Sequence, residues 1–270
     1  MRYGLADGGG RAWYGLNRTQ QRNAVANYAV VLGLPEADPA VRRVARRAFQ
    51  NYGRMLADFA LAGALTPEEL LERVELRGLE NVDRVLARGK GCIFAACHMG
   101  SWDWGGSAGG AAGYPMSGIV ERFPGSLDEA VAETRQRFGM EAIPLDRGAI
   151  RKVTERLEAN RVVTLICDLQ HGPGPEVSFF GRAAIVPGGP ASFAYKTGAG
   201  VLPAHVWMKG PGRYVAEVGE ELPLPETGDR KQDHRQLMQS IVGRFETYIR
   251  RRPDQWFAFR PMFGRPLEPG

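Results

Sequence analysis

Apolar residues recur every three or four positions across residues 41–62, VRRVARRAFQNYGRMLADFALA. Val41, Val44, Ala45, Ala48, Phe49, Tyr52, Met55, Leu56 and Phe59 share one face of a helix, and Arg42, Arg43, Arg46, Arg47 and Arg54 fall mostly elsewhere on the wheel. Thr66-Pro67-Glu68-Glu69 has the form of an N-cap with Pro in the first helical turn, and predicts a short helix reaching about Val74. From residue 91 the period changes. Short β-like runs at 91–97, 118–122, 142–145, 162–168, 201–208 and 213–219 alternate with helical stretches at 102–112, 127–139, 148–159 and 189–198, and a last helix is expected near 231–252. Such alternation predicts an α/β sheet flanked by helices. The α/β body is expected over 89–263 and a helical front over 11–88, together one domain, with 1–10 and 264–270 as loose ends.

Composition narrows the class. A chain of 270 residues that is 44% hydrophobic and 24% charged has the balance of a folded domain with a large core. Its longest apolar runs, Cys92 to Cys97 and Val162 to Cys167, fall far short of the ~20 residues a spanning helix needs. The first 17 residues have no apolar h-region, and residues 11–34 hold only the short apolar portion NYAVVLGL. An intracellular protein without a transmembrane helix is expected. The 3 cysteines make neither a disulfide framework nor a CxxC metal spacing, and read as reduced small hydrophobes.

The net charge of +5 originates at the front, where the first 60 residues carry nine Arg against Asp7, Glu36, Asp38 and Asp58. The Arg-rich helix suits an anionic membrane surface, and equally a helix lying on its own domain with a solvated face. A nucleic-acid partner is not expected, because the arginines lack interleaved aromatics and a recognised module. No metal-binding motif, P-loop or strand-borne dinucleotide fingerprint occurs.

Of the 4 histidines, His98 stands out. It ends the apolar run GCIFAACH and precedes MGSWDW, so it lies where a strand emerges into a turn before a helix, the edge at which α/β sheets place ligands. Asp103 follows five residues later. On one regular helix that interval separates side chains by ~140°. With His98 on the turn and Asp103 in the first helical turn, the carboxylate is able to fold back to an imidazole nitrogen and fix its tautomer. A satisfied His beside a helix-start Asp gives the same spacing.

The pair and its surroundings resemble the bacterial lipid A and phosphatidylinositol mannoside acyltransferase family, whose members carry His-x4-Asp/Glu in a strand, turn and helix. The resemblance runs in family order through ARRAFQNYGRMLADF, VELRGLENVDRVLARGKGCIFAACHMGSWDW, AIPLDRGAIRKV, VSFFGRAAIVPGGPASFAYKTGAGVLPAHV and RRPDQWFAFRPMF, over roughly residues 40–263. It implies a glycerolipid-acyltransferase-like fold. It also implies transfer of a fatty acyl chain from a thioester, coenzyme A or acyl carrier protein, to a hydroxyl of a membrane glycolipid or phospholipid, without cofactor, metal or acyl-enzyme.

In that scheme His98 is the general base and Asp103 orients it. Arg122, just after a strand, and Asp168, ending VVTLICD, fall at substrate-binding positions of the family. The second acid of the family's Asp-x-Asp is here Gln170, which keeps a non-catalytic lipid-binding relative in view. Phe179-Phe180-Gly181-Arg182 matches a sheet-edge turn, and adjacent strand residues point to opposite faces, so at most one Phe is expected in an acyl pocket. Trp102, Trp104 and Trp256 read as core or boundary residues outside the site. The resemblance and the Arg-rich front together imply a peripheral protein on the cytoplasmic face of the plasma membrane.

Gly105-Gly106-Ser107-Ala108-Gly109 fits G-x-S-x-G literally. A nucleophile elbow needs its Ser on the turn directly after a strand, whereas Ser107 falls ten residues past the 91–97 run and inside a predicted helix. A serine hydrolase is the weaker alternative.

Overall fold

The computed structural model describes residues 2–264. The chain opens with three helices, α1 (Arg2–Leu16), α2 (Arg18–Leu32) and α3 (Pro39–Leu61), followed by α4 (Pro67–Leu71), β1 (Val74–Arg77) and α5 (Leu79–Leu86). Then come β2 (Cys92–Ala96), α6 (Trp102–Ala111), β3 (Met116–Val120), α7 (Ser126–Arg137), β4 (Glu141–Pro144), α8 (Ala149–Glu158) and β5 (Val162–Ile166). A hairpin of β6 (Glu176–Phe179) and β7 (Arg182–Ile185) leads to α9 (Gly189–Thr197), β8 (Gly200–Gly210), β9 (Arg213–Val218) and α10 (Arg230–Arg251).

The α/β expectation holds: seven strands form one sheet in the order β1-β9-β8-β2-β5-β3-β4, with helices on both faces. Strands β8, β2, β5, β3 and β4 are mutually parallel, while β9 pairs antiparallel to β8 and carries β1 parallel to itself. The central strands read as nearly continuous apolar runs because both their faces are covered. On one face Ile93, Ala95 and Cys97 pack with Val163, Leu165 and Cys167 against α8, α9 and α10. On the other, Cys92 and Phe94 lie with Val162, Leu202 and Met116 under α5 and α6.

Several boundaries differ from the sequence pattern for identifiable reasons. Thr66 caps α4 through a reciprocal capping box with Glu69. That helix stops at Leu71, and Val74–Arg77 pairs in register with Tyr214 to Glu217, so the front contributes an edge strand and is not wholly helical. Residues 2–10, expected to be loose, belong to α1. Gly4, Gly8, Gly9 and Gly10 each cost a helix ~1 kcal/mol relative to Ala. Packing overrides that penalty: Tyr3 bonds Asp58, Arg54 bonds Asp7, and Gly10 crosses α3 so closely that a Cβ would sit 2.5 Å from the Phe49 carbonyl oxygen. Met1 and residues 265–270, the expected tail beyond Gly264, lie outside the described residues.

The β6–β7 hairpin was not evident as strands. Its turn residues Phe180 (φ 52°) and Gly181 (φ 72°) both adopt left-handed backbone, as a tight two-residue hairpin turn requires. The turn swings the Phe180 ring onto Phe179 at 4.9 Å, and both rings contact Trp256. The expectation that the two rings face apart fails because Phe180 has already left the strand.

Candidate active site

The site is set by sheet register. Ala96 of β2 is paired with Ile166 of β5, and the Cys167 amide donates to the Ala96 carbonyl at 2.9 Å. His98 and Asp168 each lie two residues past that pair, so the two strands deliver them side by side at the carboxyl end of the sheet. His98 Nδ1 lies 2.7 Å from Asp168 Oδ1, and the His98 backbone N–H donates to Asp168 Oδ2 at 3.0 Å. Trp256 Nε1–H donates to the same oxygen at 2.7 Å. Asp168 is fully buried, and these donors satisfy its carboxylate. The His98 side chain stays 30% exposed, and no described residue hydrogen-bonds its Nε2.

Two of the expected residues make contacts other than those the spacing suggests. Asp103 does not reach His98. Its carboxylate accepts 2.9 and 2.5 Å bonds from Nε and Nη2 of Arg135 on α7, forming an ion pair with side chains only 10% and 8% exposed. The physical reason is direction: in the first turn of α6, Asp103 projects toward α7, while the His98 ring turns to the neighbouring strand. Asp168, expected to touch substrate, is sealed behind the imidazole and holds it instead. Gln170 is exposed, and the carboxylate contact to His98 is complete without a second acid.

Arg122 is exposed in the loop after β3, with no hydrogen bond or ion pair to His98, Asp103 or Asp168. The next residue, Phe123, stacks on Phe59 at 5.9 Å, and the Arg135 guanidinium lies 6.0 Å from that Phe59 ring. The structure therefore brings the Arg122 loop beside the Asp103–Arg135 pair. Ser107 is buried in the middle of α6, which excludes the nucleophile-elbow geometry. His205 stacks on Tyr248 and His234 on Tyr195, and neither histidine hydrogen-bonds His98, Asp103 or Asp168 among the described residues.

The turn carrying His98 is held by the far end of the chain. Gly100 donates to the Gln255 carbonyl at 3.0 Å, Phe257 donates to the His98 carbonyl at 2.9 Å, and Met99 bridges Trp256. Gly100 (φ 59°) is required, since a Cβ there would lie 2.3 Å from the Val206 carbonyl oxygen. Helix α2 anchors the same segment: Asn27 donates to the carbonyls of Ala258 and Arg260 at 2.9 and 2.7 Å, and the Tyr28 hydroxyl donates to that of Trp256. Trp256, whose sequence context reads as core, thus donates to the carboxylate that contacts His98. The signal was its place in the RRPDQWFAF segment, but nothing local tells an indole donor from a core indole.

Trp102 presents an edge to the His98 ring at 5.2 Å, with the rings 77° apart. Beside it a narrow apolar channel of about 50 Å³ lies beneath α6, lined among others by Cys97, Trp102, Phe94, Val206, Thr164 and Met116. Gly105, Gly106 and Gly109 of α6 line it, and the side chains of Val206, Met140 and Met116 pack close against them. Burial pushes the thiols of Cys97 and Cys167 well above their ordinary range, so neither is an available nucleophile.

The arrangement is an imidazole oriented by a carboxylate, with the adjoining Cys97 and Trp102 lining the apolar space beneath α6. The sequence is similar to the phosphatidylinositol mannoside acyltransferase of Mycobacterium tuberculosis, 31% identical over 248 residues that cover 88% of this chain and 75% of that one. It is also similar to the protein of that name from Mycolicibacterium smegmatis, 30% identical over 243 residues, 88% of this chain and 77% of that one. Residues 1–265 match the bacterial lipid A biosynthesis acyltransferase family, and the chain belongs to that family.

Proposed function

We propose that this acyltransferase moves a fatty acyl chain from an acyl thioester, of coenzyme A or an acyl carrier protein, directly to a hydroxyl of a membrane glycolipid, with mannosylated phosphoinositides and lipid A precursors as the acceptor classes. The observation that carries the reading is the 2.7 Å contact between His98 Nδ1 and buried Asp168. With Nδ1–H held by the carboxylate, the tautomer leaves the Nε2 lone pair facing outward as a base.

In the reaction Nε2 takes the acceptor hydroxyl proton as the oxygen attacks the thioester carbonyl carbon. The C–O bond forms, the tetrahedral intermediate collapses with cleavage of the C–S bond, and the imidazolium returns its proton to the departing thiolate. Asp168 stabilises the imidazolium throughout. We assign the acyl chain to the apolar space beneath α6, which holds about 50 Å³ and has to widen to admit it, and donor or acceptor phosphate to exposed Arg122. Among the described residues no helix is long and apolar enough to cross a membrane, and because acceptor and acyl chain are both lipids we read the protein as working peripherally on the cytoplasmic face.

The test is acyl transfer by the purified chain from a radiolabelled acyl thioester to each acceptor class, with products identified by mass spectrometry. Wild type and Ser107→Ala should transfer alike, and His98→Ala should lose a factor of roughly 10² to 10⁴ with its fold intact. Normal transfer by folded His98→Ala overturns the mechanism. Binding of lipid by a wild type that never transfers would establish the non-catalytic reading instead.

A further inference from the structure

The outward surface of the helical front is unlike that of a solvated helix layer. Helix α1 turns Tyr3, Asp7, Gly10 and Trp13 toward α3. Its opposite face presents Leu5 and Leu16, 74% and 83% exposed, with Ala12 between them. Eleven residues make about three helical turns, so both leucines project the same way. Among the described side chains of α1 the exposed charge is Arg11 alone.

Next to this apolar face lies a concentration of positive charge. Arg18, Arg22, Arg42, Arg43 and Arg46 line an open groove between α2 and α3 in which Glu36 is the single acid. An adjoining groove shares Arg43 and Arg46 and adds Arg11 and Arg47. All seven are exposed, and none has a carboxylate partner among the described residues. So many unneutralised cations repel one another on a free surface. An anionic counter-surface relieves that repulsion, and protruding leucines beside it favour one that also offers hydrocarbon.

A second copy of the chain would set arginines against arginines. An acidic protein or a nucleic acid would satisfy the guanidinium groups and leave Leu5 and Leu16 in water. A bilayer with anionic headgroups meets both demands, phosphates for the arginines and the acyl boundary for the leucines. Helix α3 links this face to the site, since Tyr52 lies 5.1 Å from the Phe257 ring, which in turn contacts Trp102 beside His98.

We propose that the outer faces of α1, α2 and α3 form the surface that lies on an anionic lipid bilayer, with Leu5 and Leu16 inserted below the headgroups and the arginines on lipid phosphates. This rests on the reading that the acceptor is presented in a membrane.

The test is co-sedimentation of the full chain with vesicles of phosphatidylcholine alone or mixed with phosphatidylglycerol, at low and high salt. Wild type should bind the mixed vesicles and weaken with salt. Each of Arg42→Gln, Arg43→Gln, Arg46→Gln and Arg47→Gln should lower affinity about fivefold at low salt. The double variant Leu5→Asp, Leu16→Asp should abolish the binding that survives high salt, with unchanged melting temperature. All variants should still transfer acyl groups to acceptor dispersed in detergent. Equal binding to both vesicle types, or vesicle binding untouched by either set of substitutions, overturns the proposal. So does self-association lost in Leu16→Asp, or oligonucleotide binding without vesicle binding. Transfer in detergent without vesicle binding fails this surface alone, and vesicle binding without transfer fails the catalytic reading alone.

Discussion

Trp256 Nε1 and Asp168 Oδ2 are joined by a buried 2.7 Å hydrogen bond across 88 residues of sequence. The carboxylate that holds the His98 ring is itself held by an indole from the last segment of the domain. Trp256→Phe keeps most of the ring volume in its aromatic cluster and removes the donor. We expect a fall in kcat of about tenfold, with KM and vesicle binding unchanged. Steady-state kinetics beside a thermal melt would check this, and an unaltered kcat would make the indole a packing residue only.

Asp168 and Asp103 should separate when each is changed. Asp168→Asn leaves His98 without a charge partner and should cost roughly 10² to 10⁴ in kcat, as loss of a base's orienting acid does. Asp103→Ala strands the buried Arg135 guanidinium and should destabilise the fold by ~3–5 kcal/mol. Adding Arg135→Met should recover much of that loss. If Asp103→Ala melts like wild type but loses all transfer, the carboxylate acts on substrate and not on α7.

Acid stability should depend on His205. Burial first, then the nearby Arg251 and Arg252, push this imidazole down to about 3. The unfolded chain takes up its proton near pH ~6.5. Stability from this group is therefore complete above pH ~6.5 and is lost progressively as pH falls toward 3. His205→Phe, which keeps a ring on Tyr248, should flatten the decline in urea midpoint between neutral and acidic buffer. Parallel declines in the two proteins would refute the assignment.

Chain length should be readable in α6. Gly109 lines the channel, and a Cβ there would meet Met116 Sδ at 3.3 Å. Gly109→Val should shift the preferred donor toward shorter acyl chains while shorter donors retain wild-type kcat. Mass spectrometry of products from a mixture of donors reads the shift directly. An unchanged product distribution would place the chain elsewhere.

Much of this architecture could be read along the chain, because the apolar runs ending at Cys97 and Cys167 are long enough to declare buried parallel strands and the helices between them keep their period. His98 was visible for the same reason, as the first polar residue after such a run. Its carboxylate was not. Asp103 is near in sequence, whereas Asp168 becomes near only through pairing of β2 with β5, and strand order is not encoded in any local window. The first part of α1, residues 2–10, does not read as helix because its four glycines mask a segment stabilised by contacts to α3. The paired Phe179 and Phe180 rings needed a left-handed turn residue that alternation alone does not anticipate.

The clasp between α2 and residues 256–260 has a bearing on biosynthesis. Asn27 and Tyr28 leave the ribosome early, yet the backbone they grip, and the indole beneath His98, arrive only after α10 has been translated. Until then the imidazole turn lacks its bonds to Gln255 and Phe257. A nascent or prematurely terminated chain that lacks residues 255–260 therefore lacks the bonds that fix the His98 turn, and the proposed base gains its support only when this segment has been made.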